Sequence, residues 1–173
     1  LAITGEVEYV KGFGHHYLAK PEVTLYANSS LFDIKMTVTN LASVEMPLQY
    51  MCHMNYCYEH GALLTQNIPD SAITLRETIP AHVKPTDTWL SFNEDIKQGK
   101  YRLSRLDNDV MYDPEIVFFM DNLSQYQEHL EYKMISNDGY HYVTKFSSKD
   151  FNYATRWILF NEDQQVGAFV LPA

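Results

Sequence analysis

The feature that most constrains the fold is the strict alternation of side chains along Phe32–Asn40, FDIKMTVTN. Apolar side chains occupy the even positions from Ile34 to Val38, and polar side chains occupy the odd positions between and beside them. In an extended chain, residues two apart share a face. The pattern therefore predicts a β-strand with one apolar face and one hydrated face.

Other short segments have the composition of strands and are separated by turn-forming residues. They are residues 1–10, 22–27, 71–79, 115–121, 154–161 and 165–171. We expect residues 22–36 to form two strands joined at Asn28-Ser29-Ser30. We also expect residues 131–146 to form a hairpin, because Asp138-Gly139 suits the positive-φ positions of a type I′ turn. Only Asp87–Arg105 resembles a helix or a long loop, so the sequence predicts an all-β, antiparallel β-sandwich.

Length and charge exclude several classes of protein. The 173 residues, 46% of them hydrophobic, predict one domain over residues 1–173 with a sizeable core. The net charge is −9 and no basic run exceeds two residues, which argues against nucleic acid or an anionic membrane as partners. No segment has the apolar length of a membrane helix. Both ends lie in strand-like sequence, so we expect the chain to be a fragment of a longer protein.

The metal-binding residue types are few and poorly spaced for a metal. Cys52 and Cys57 are five apart, so on one strand they lie on opposite faces and cannot bond to each other. They predict two free thiols in a cytoplasmic protein. His15 and His16 are adjacent and point apart, and no zinc or calcium motif is present. We therefore expect no metal and no other cofactor.

The segment Pro47–Tyr58, PLQYMCHMNYCY, carries the main candidates for a functional site. If it is a strand, its even positions from Leu48 to Tyr58 form a bulky core face. The opposite face then carries Gln49, His53 and Asn55, polar groups that a rigid strand could present to a cleft. The alternative is that this face is simply solvated.

Two further segments add candidate substrate-binding residues. Asp113 and Glu115 precede an apolar strand, and on extended chain they share a face where they could hold sugar hydroxyls or tune a base. The alternative is a polar turn set by Pro114. Arg156 is followed by Trp157, whose ring could stack on a sugar, although tryptophan is more often found in a core.

Four segments resemble the aldose 1-epimerase-related family and, through it, the galactose mutarotases. They are GEVEYVKGFGHHY, LFDIKMTVTNLASVEMPLQYMCHMNY, YDPEIVFFMDNL and RWILFNEDQQVGAFVLPA. TNL at Thr39–Leu41 and HMNY at His53–Tyr56 are similar to the family's TNL strand and its His-x-Tyr-Phe-Asn strand. YDPE at Tyr112–Glu115 is similar to a Tyr-Asp-His segment of the mutarotases.

The resemblance implies the C-terminal part of a large antiparallel β-supersandwich that binds a monosaccharide or sugar derivative. The family's reaction interconverts the anomers of an aldose: a glutamate takes the proton of the C1 hydroxyl while a histidine protonates the ring oxygen. Carried over by position, His53 is the acid, Asn55 orients His53 or the substrate, and Asp113 holds a hydroxyl. No metal takes part in this acid/base chemistry.

The family's catalytic glutamate has no counterpart among the last residues. No carboxylate follows Asp163, and the alignment places Val170 or Leu171 at the position of the base. Either the base lies beyond Ala173 or this branch lacks it. The two resulting hypotheses are an aldose 1-epimerase-type isomerase and a non-catalytic carbohydrate-binding β-sandwich. A third is a β-domain of a larger enzyme, and open sheet edges could pair copies into a homo-oligomer.

Overall fold

The chain contains eleven β-strands, one α-helix and three short 3-10 helices, and every strand pair is antiparallel. The predicted antiparallel all-β class is confirmed. This computed structural model describes residues 1–173 and divides into two units, Leu1–Gln49 and Tyr50–Ala173. That residues 1–173 form a single domain stays a prediction.

Unit 1 is a four-stranded sheet. Its strands are β1 (Ala2–Thr4), β2 (Val7–Val10), β3 (His16–Leu25) and β4 (Phe32–Asn40). The central strand β3 pairs with β1 and β2 along one edge and with β4 along the other. The connection between β3 and β4 contains Asn28 at φ 55°, so the turn predicted at Asn28-Ser29-Ser30 is confirmed.

The alternation predicted for β4 is confirmed by its pairing with β3. Ile34 lies opposite Val23 on one face, while Lys35 lies opposite Glu22 on the other. The sheet is thus apolar on one side and charged on the other. No residue of unit 1 is buried, and apolar side chains such as Ile34 are 43% exposed.

Unit 2 contains two sheets and the helix. Its strands are β5 (Leu63–Gln66), β6 (Thr74–Leu75), β7 (Ile116–Met120), β8 (His129–Ile135), β9 (His141–Ser147), β10 (Ala154–Phe160) and β11 (Gln165–Pro172). One sheet has the order β6-β7-β10-β11 and the other the order β5-β8-β9. Leu64 and Met134 from the second sheet and Phe118 and Ile158 from the first belong to one buried core. The two sheets share this core as the layers of a sandwich do.

The helix α1 spans Asp87–Lys97, within the one segment that resembles a helix in the sequence. Thr86 caps its first turn, since the Trp89 backbone N–H donates to the Thr86 hydroxyl at 3.2 Å. Trp89 is buried, and its indole N–H donates to the Glu115 carbonyl oxygen at 2.9 Å. This bond ties the helix to the start of β7. No helix of the chain has both the length and the apolar character needed to cross a bilayer.

Two local predictions were wrong. The hairpin β8–β9 is present, but five residues join its strands and only Gly139 of the Asp138-Gly139 pair has positive φ. A type I′ turn needs both, and here the Tyr140 backbone N–H donates to the Ser136 hydroxyl at 3.0 Å to form a wider turn. The strand predicted over residues 71–79 is reduced to Thr74–Leu75.

Candidate functional site

Residues 50–58, which carry His53, run along the edge of β11. The Cys52 backbone N–H donates to the Pro172 carbonyl oxygen at 2.8 Å, and the Gly167 N–H donates to the Tyr56 oxygen at 2.9 Å. The only strand bridge in this segment joins Cys57 to Val166. The segment predicted as a strand is therefore an extended edge with an incomplete hydrogen-bond ladder.

The two faces predicted for this segment are nevertheless present. The even positions from Tyr50 to Tyr58 are half-buried, and Tyr56 packs against the core. The odd positions are exposed, and they include His53 and Asn55. An extended backbone alternates its side chains even where the ladder is irregular, so the polar side remains available to a ligand.

The sheet β6-β7-β10-β11 has a core side and an outer side. Trp157 on β10 lies opposite Val117 on β7 and Ala168 on β11, so these side chains share the outer side. Arg156 lies opposite Phe118, which belongs to the core. Adjacent residues of β10 therefore point to opposite sides of the sheet.

A buried carboxylate holds the Trp157 ring on the outer side. The Trp157 indole N–H donates to Glu115 Oε2 at 2.7 Å, and Arg76 Nη2 donates to Glu115 Oε1 at 2.7 Å. The side chains of Glu115 and Arg76 are only 10% and 14% exposed. One carboxylate oxygen accepts a hydrogen bond from the indole, and the other accepts a charge-assisted hydrogen bond from Arg76. The orientation of the carboxylate is therefore fixed.

Two imidazoles complete this group of side chains. The His53 ring lies 6.2 Å from the Trp157 ring, centroid to centroid, with the planes at 59°. His82 Nε2 lies 3.9 Å from Glu115 Oε1, and the His82 side chain is 75% exposed. We name these five residues the outer-face cluster: His53, Arg76, His82, Glu115 and Trp157.

The outer-face cluster combines chemical groups that suit a polyhydroxylated ligand. A half-buried indole offers an apolar face, while the carboxylate and the guanidinium offer acceptors and donors. The exposed imidazole of His53 adds ring nitrogens that can donate or accept hydrogen bonds. No group of three or more His, Cys, Asp or Glu side chains is arranged to hold a metal ion.

Arg76 and His82 belong to the outer-face cluster, and neither was predicted as a site residue from the sequence. Arg76 follows β6, and its backbone N–H donates to the Val117 carbonyl oxygen at 2.8 Å, which extends the pairing with β7. The sequence does contain one signal for Arg76. Side chains alternate along an extended strand, so Thr74 and Arg76 lie on the same side of the sheet. His82 lies in a loop, where the sequence carries no such signal.

The structure does not bring Asp113 and Glu115 together. That expectation required extended chain, but Asp109–Met111 forms a 3-10 helix and residues 112–114 form a bend. Asp113 is exposed and its Oδ1 accepts a hydrogen bond from Asn161 Nδ2 at 3.3 Å. The polar turn weighed for this segment is what the structure contains, and Glu115 alone joins the outer-face cluster. Gln49 is exposed and is the last residue of unit 1.

Arg156 was expected to bind substrate beside Trp157, and the structure places it on the core side instead. It is 2% exposed. Its Nε donates to the Phe169 carbonyl oxygen at 2.9 Å and its Nη2 donates to Gln66 Oε1 at 3.1 Å. The period of two in β10 is the physical reason that Arg156 and Trp157 cannot line one cleft.

Comparison with known proteins adds no relative. No protein-family model, no curated protein and no solved structure matches the chain.

Proposed function

We propose that the outer-face cluster binds a monosaccharide or sugar derivative and that the protein interconverts its anomers, as an aldose 1-epimerase-type isomerase does. One observation carries this proposal: the exposed His53 imidazole lies 6.2 Å from an indole ring that a buried carboxylate holds in place. An acid/base group beside a fixed aromatic surface is what a sugar-transforming site requires. The resemblance of HMNY at His53–Tyr56 to the mutarotase motif supports the same reaction.

In this proposal the sugar lies with its C–H face on Trp157. Its hydroxyl groups accept from Arg76 and donate to the remaining lone pairs of Glu115. Asn55 is exposed on the same side of its segment as His53, so its amide is available for a further hydroxyl. Sugar rings bind aromatic surfaces through apolar contact, and the polar groups then fix their orientation.

The chemical step moves two protons. Protonated His53 donates to the ring oxygen while a base removes the proton of the anomeric hydroxyl, so the bond from C1 to the ring oxygen breaks and an aldehyde forms. Rotation about C1–C2 and the reverse transfers close the other anomer. Both oxygens of Glu115 already accept hydrogen bonds, one from Arg76 and one from Trp157, so Glu115 serves to position those two groups. Within the cluster, the exposed His82 is the group free to accept the proton.

The test is the rate at which a freshly dissolved α-anomer equilibrates, followed by polarimetry or proton NMR over a panel of aldoses. We expect the protein to accelerate equilibration of at least one sugar, and His53→Gln to lower this acceleration about 100-fold. His129→Gln is the matched control, because His129 is an exposed histidine on β8 of the other sheet. The enzyme proposal fails if the protein behaves like buffer, or if His53→Gln is as active as the control.

A non-catalytic carbohydrate-binding role is the second candidate, and the engagement of both Glu115 oxygens favours it. A carboxylate whose oxygens accept from Trp157 and Arg76 serves to hold those groups in place. In this case Trp157→Ala abolishes sugar binding, while His53→Gln binds as the unmodified protein does. Isothermal titration calorimetry distinguishes the two, and the absence of heat with every sugar would exclude this role.

A cytoplasmic location belongs to the same proposal. Cys52 and Cys57 are free, and Cys57 is exposed. Exposed free thiols persist in reducing compartments. Fractionation of cells that produce the protein tests this, and recovery from an oxidising compartment would contradict it.

A further inference from the structure

On the core side of β10, opposite the outer-face cluster, the protein contains a cavity of about 250 Å³. Its walls come from β5, from the loop that follows α1, and from β7 and β10. Gln66, Arg102, Leu103 and Arg156 are among the residues that line it. The cavity is independent of the site proposed above because Arg156 and Trp157 point to opposite sides of the sheet.

Arg156 lines this cavity and has hydrogen-bond donors that the protein does not use. A guanidinium has five N–H donors. Three of them are used: Nε donates to Phe169, Nη1 to the Leu103 carbonyl oxygen at 3.4 Å, and Nη2 to Gln66 Oε1. Two N–H groups, one on each terminal nitrogen, remain without a partner in the protein.

The charge of Arg156 also lacks a direct ion-pair partner, although the charge of Asp70 acts on it from a longer distance. Burial lowers the pKa of Arg156 to about 10, and the guanidinium is still protonated at neutral pH. No carboxylate lies within 4.0 Å of it. A buried cation destabilises the folded chain unless an anion lies beside it. We therefore expect an anion to bind next to Arg156.

Asp70 is the acidic residue that lines the cavity, and its carboxylate already has partners within the protein. Asp70 Oδ1 accepts from Gln66 Nε2 at 2.9 Å, and Asp70 Oδ2 accepts from Arg102 Nη1 at 3.2 Å. Arg102 and Arg156 contribute two positive charges and Asp70 one negative charge, which leaves one positive charge at the cavity. That charge matches a monoanion.

A second polar group on this side of the core is also unsatisfied. Tyr132 lies opposite Gln66 in the β5–β8 pairing, and its hydroxyl is buried without a hydrogen-bond partner. Buried polar atoms without partners are rare in folded proteins. The region around Arg156 therefore has more hydrogen-bonding capacity than the protein itself uses.

We propose that this cavity is a binding site for a small monocarboxylate with an apolar body. Two free N–H groups of one guanidinium fit the two oxygens of a carboxylate. The side chains of Ile73, Leu103 and Phe118 line the same cavity and supply an apolar surface for the rest of the ligand. A volume below that of drug-sized pockets restricts the ligand to a compact molecule.

The test compares acids with their uncharged analogues. Butyrate and benzoate are titrated into the full chain at constant ionic strength, next to butyramide and benzamide, with binding followed by saturation-transfer NMR and calorimetry. We expect at least one acid to bind at least tenfold more tightly than its amide. Arg156→Lys keeps the charge but loses the planar pair of donors, and should weaken that binding about tenfold.

Because a change at Arg156 could unfold the core, a second variant blocks the cavity from its rim. Ser104 is exposed and lines the cavity, so Ser104→Trp should abolish binding of the acid. Ser124→Trp, at an exposed serine that does not line the cavity, is the matched control and should bind normally. His53→Gln should also bind the acid normally, which separates this proposal from the sugar site. Equal binding of acid and amide, no binding of either, or survival of binding in Ser104→Trp would overturn the proposal.

Discussion

Arg156 and Trp157 show how closely the side of a sheet decides the role of a residue. Both were candidates for one substrate site, and both residue types suit ligand binding. The structure sends Trp157 to the outer side beside Glu115 and Arg156 to the core. The period of two would have separated them from sequence alone. The neighbouring strands determine which side of the sheet carries the candidate site. The sequence of β10 alone therefore cannot predict that side.

At the residue scale, Glu115 is the group on which the outer-face cluster most depends. Glu115→Gln leaves Arg76 as a half-paired, largely buried cation. We expect the variant to lose about 2 kcal/mol of unfolding free energy, measured by urea denaturation. Trp157 fluorescence should shift as well, because the bond to its indole N–H weakens.

The matched control is Glu77→Gln, since Glu77 is exposed and only one residue from Arg76. It should unfold within about 0.5 kcal/mol of the unmodified protein. Equal stability of the two variants would show that the Glu115–Arg76 pair does not hold the cluster together.

The candidate site was only partly predictable from its residues. The exposure of His53 and Asn55 follows from the alternation along residues 50–58, and it is confirmed. Glu115 and Trp157 were chosen by residue type, and the structure joins them at 2.7 Å. Arg76 and His82 come from a chain segment whose path depends on tertiary packing, so their distance from the other three residues could not be predicted from the sequence.

At the scale of single elements, the β8–β9 hairpin contains a compact charge cluster. Glu131 lies opposite Lys145 in the pairing, and Lys133 is two residues further along the same strand. Each lysine Nζ lies 2.6 Å from a Glu131 oxygen. Hydrogen bonds from Lys133 and then Lys145 lower the pKa of Glu131 to about 2.

This pKa shift gives a pH dependence with a definite sign. Because the pKa of Glu131 is lower in the folded chain than the ordinary glutamate value of 4.5, its pairing with the two lysines stabilises the protein above pH 4.5. That stabilisation is lost as the pH falls towards 2. Glu131→Gln should therefore lower the urea midpoint at pH 7, and the difference from the unmodified protein should shrink below pH 4.5.

Glu162→Gln provides the comparison, because Glu162 is an exposed glutamate in the turn between β10 and β11. Its urea midpoint should follow that of the unmodified protein at every pH. A Glu131→Gln difference that stays constant from pH 7 to pH 2 would contradict the charge-pairing explanation.

Strands were predictable where alternation or a long apolar run is present, as in β4, β7 and β10. The four-residue strand β5 was missed because Leu63–Gln66 is too short to establish a period. The turn of the β8–β9 hairpin was wrong because the Ser136 side chain bonds the backbone of Tyr140. Side-chain bonds of this kind compete with the standard turn geometry and are not visible in residue composition.

At the scale of the whole molecule, burial differs sharply between the two units. Unit 1 has no buried residue, whereas unit 2 contains a core with fully buried side chains such as Ile158 and Phe169. Length and composition predicted one domain, because both report only that enough apolar residues are present. They do not report how those residues are distributed between sheets.

This difference predicts unequal protection from hydrogen exchange. Local opening is easier where few apolar groups are buried. We expect backbone amides of β3, the central strand of unit 1, to exchange at least tenfold faster than those of β10, a central strand of unit 2. Hydrogen exchange followed by mass spectrometry measures both strands in one sample, and equal protection of β3 and β10 would contradict the prediction.

The alternation along β10 has a practical consequence for protein engineering. Thr155 and Trp157 face the outer side, and Ala154, Arg156 and Ile158 face the core, so a mutant library confined to the first pair leaves the core-facing side chains of the strand unchanged. A library confined to the second set tests tolerance of the interior without altering the outer surface. Variants of the outer side and variants of the core side can therefore be selected separately on the same strand. The selected substitutions can then be combined in one protein.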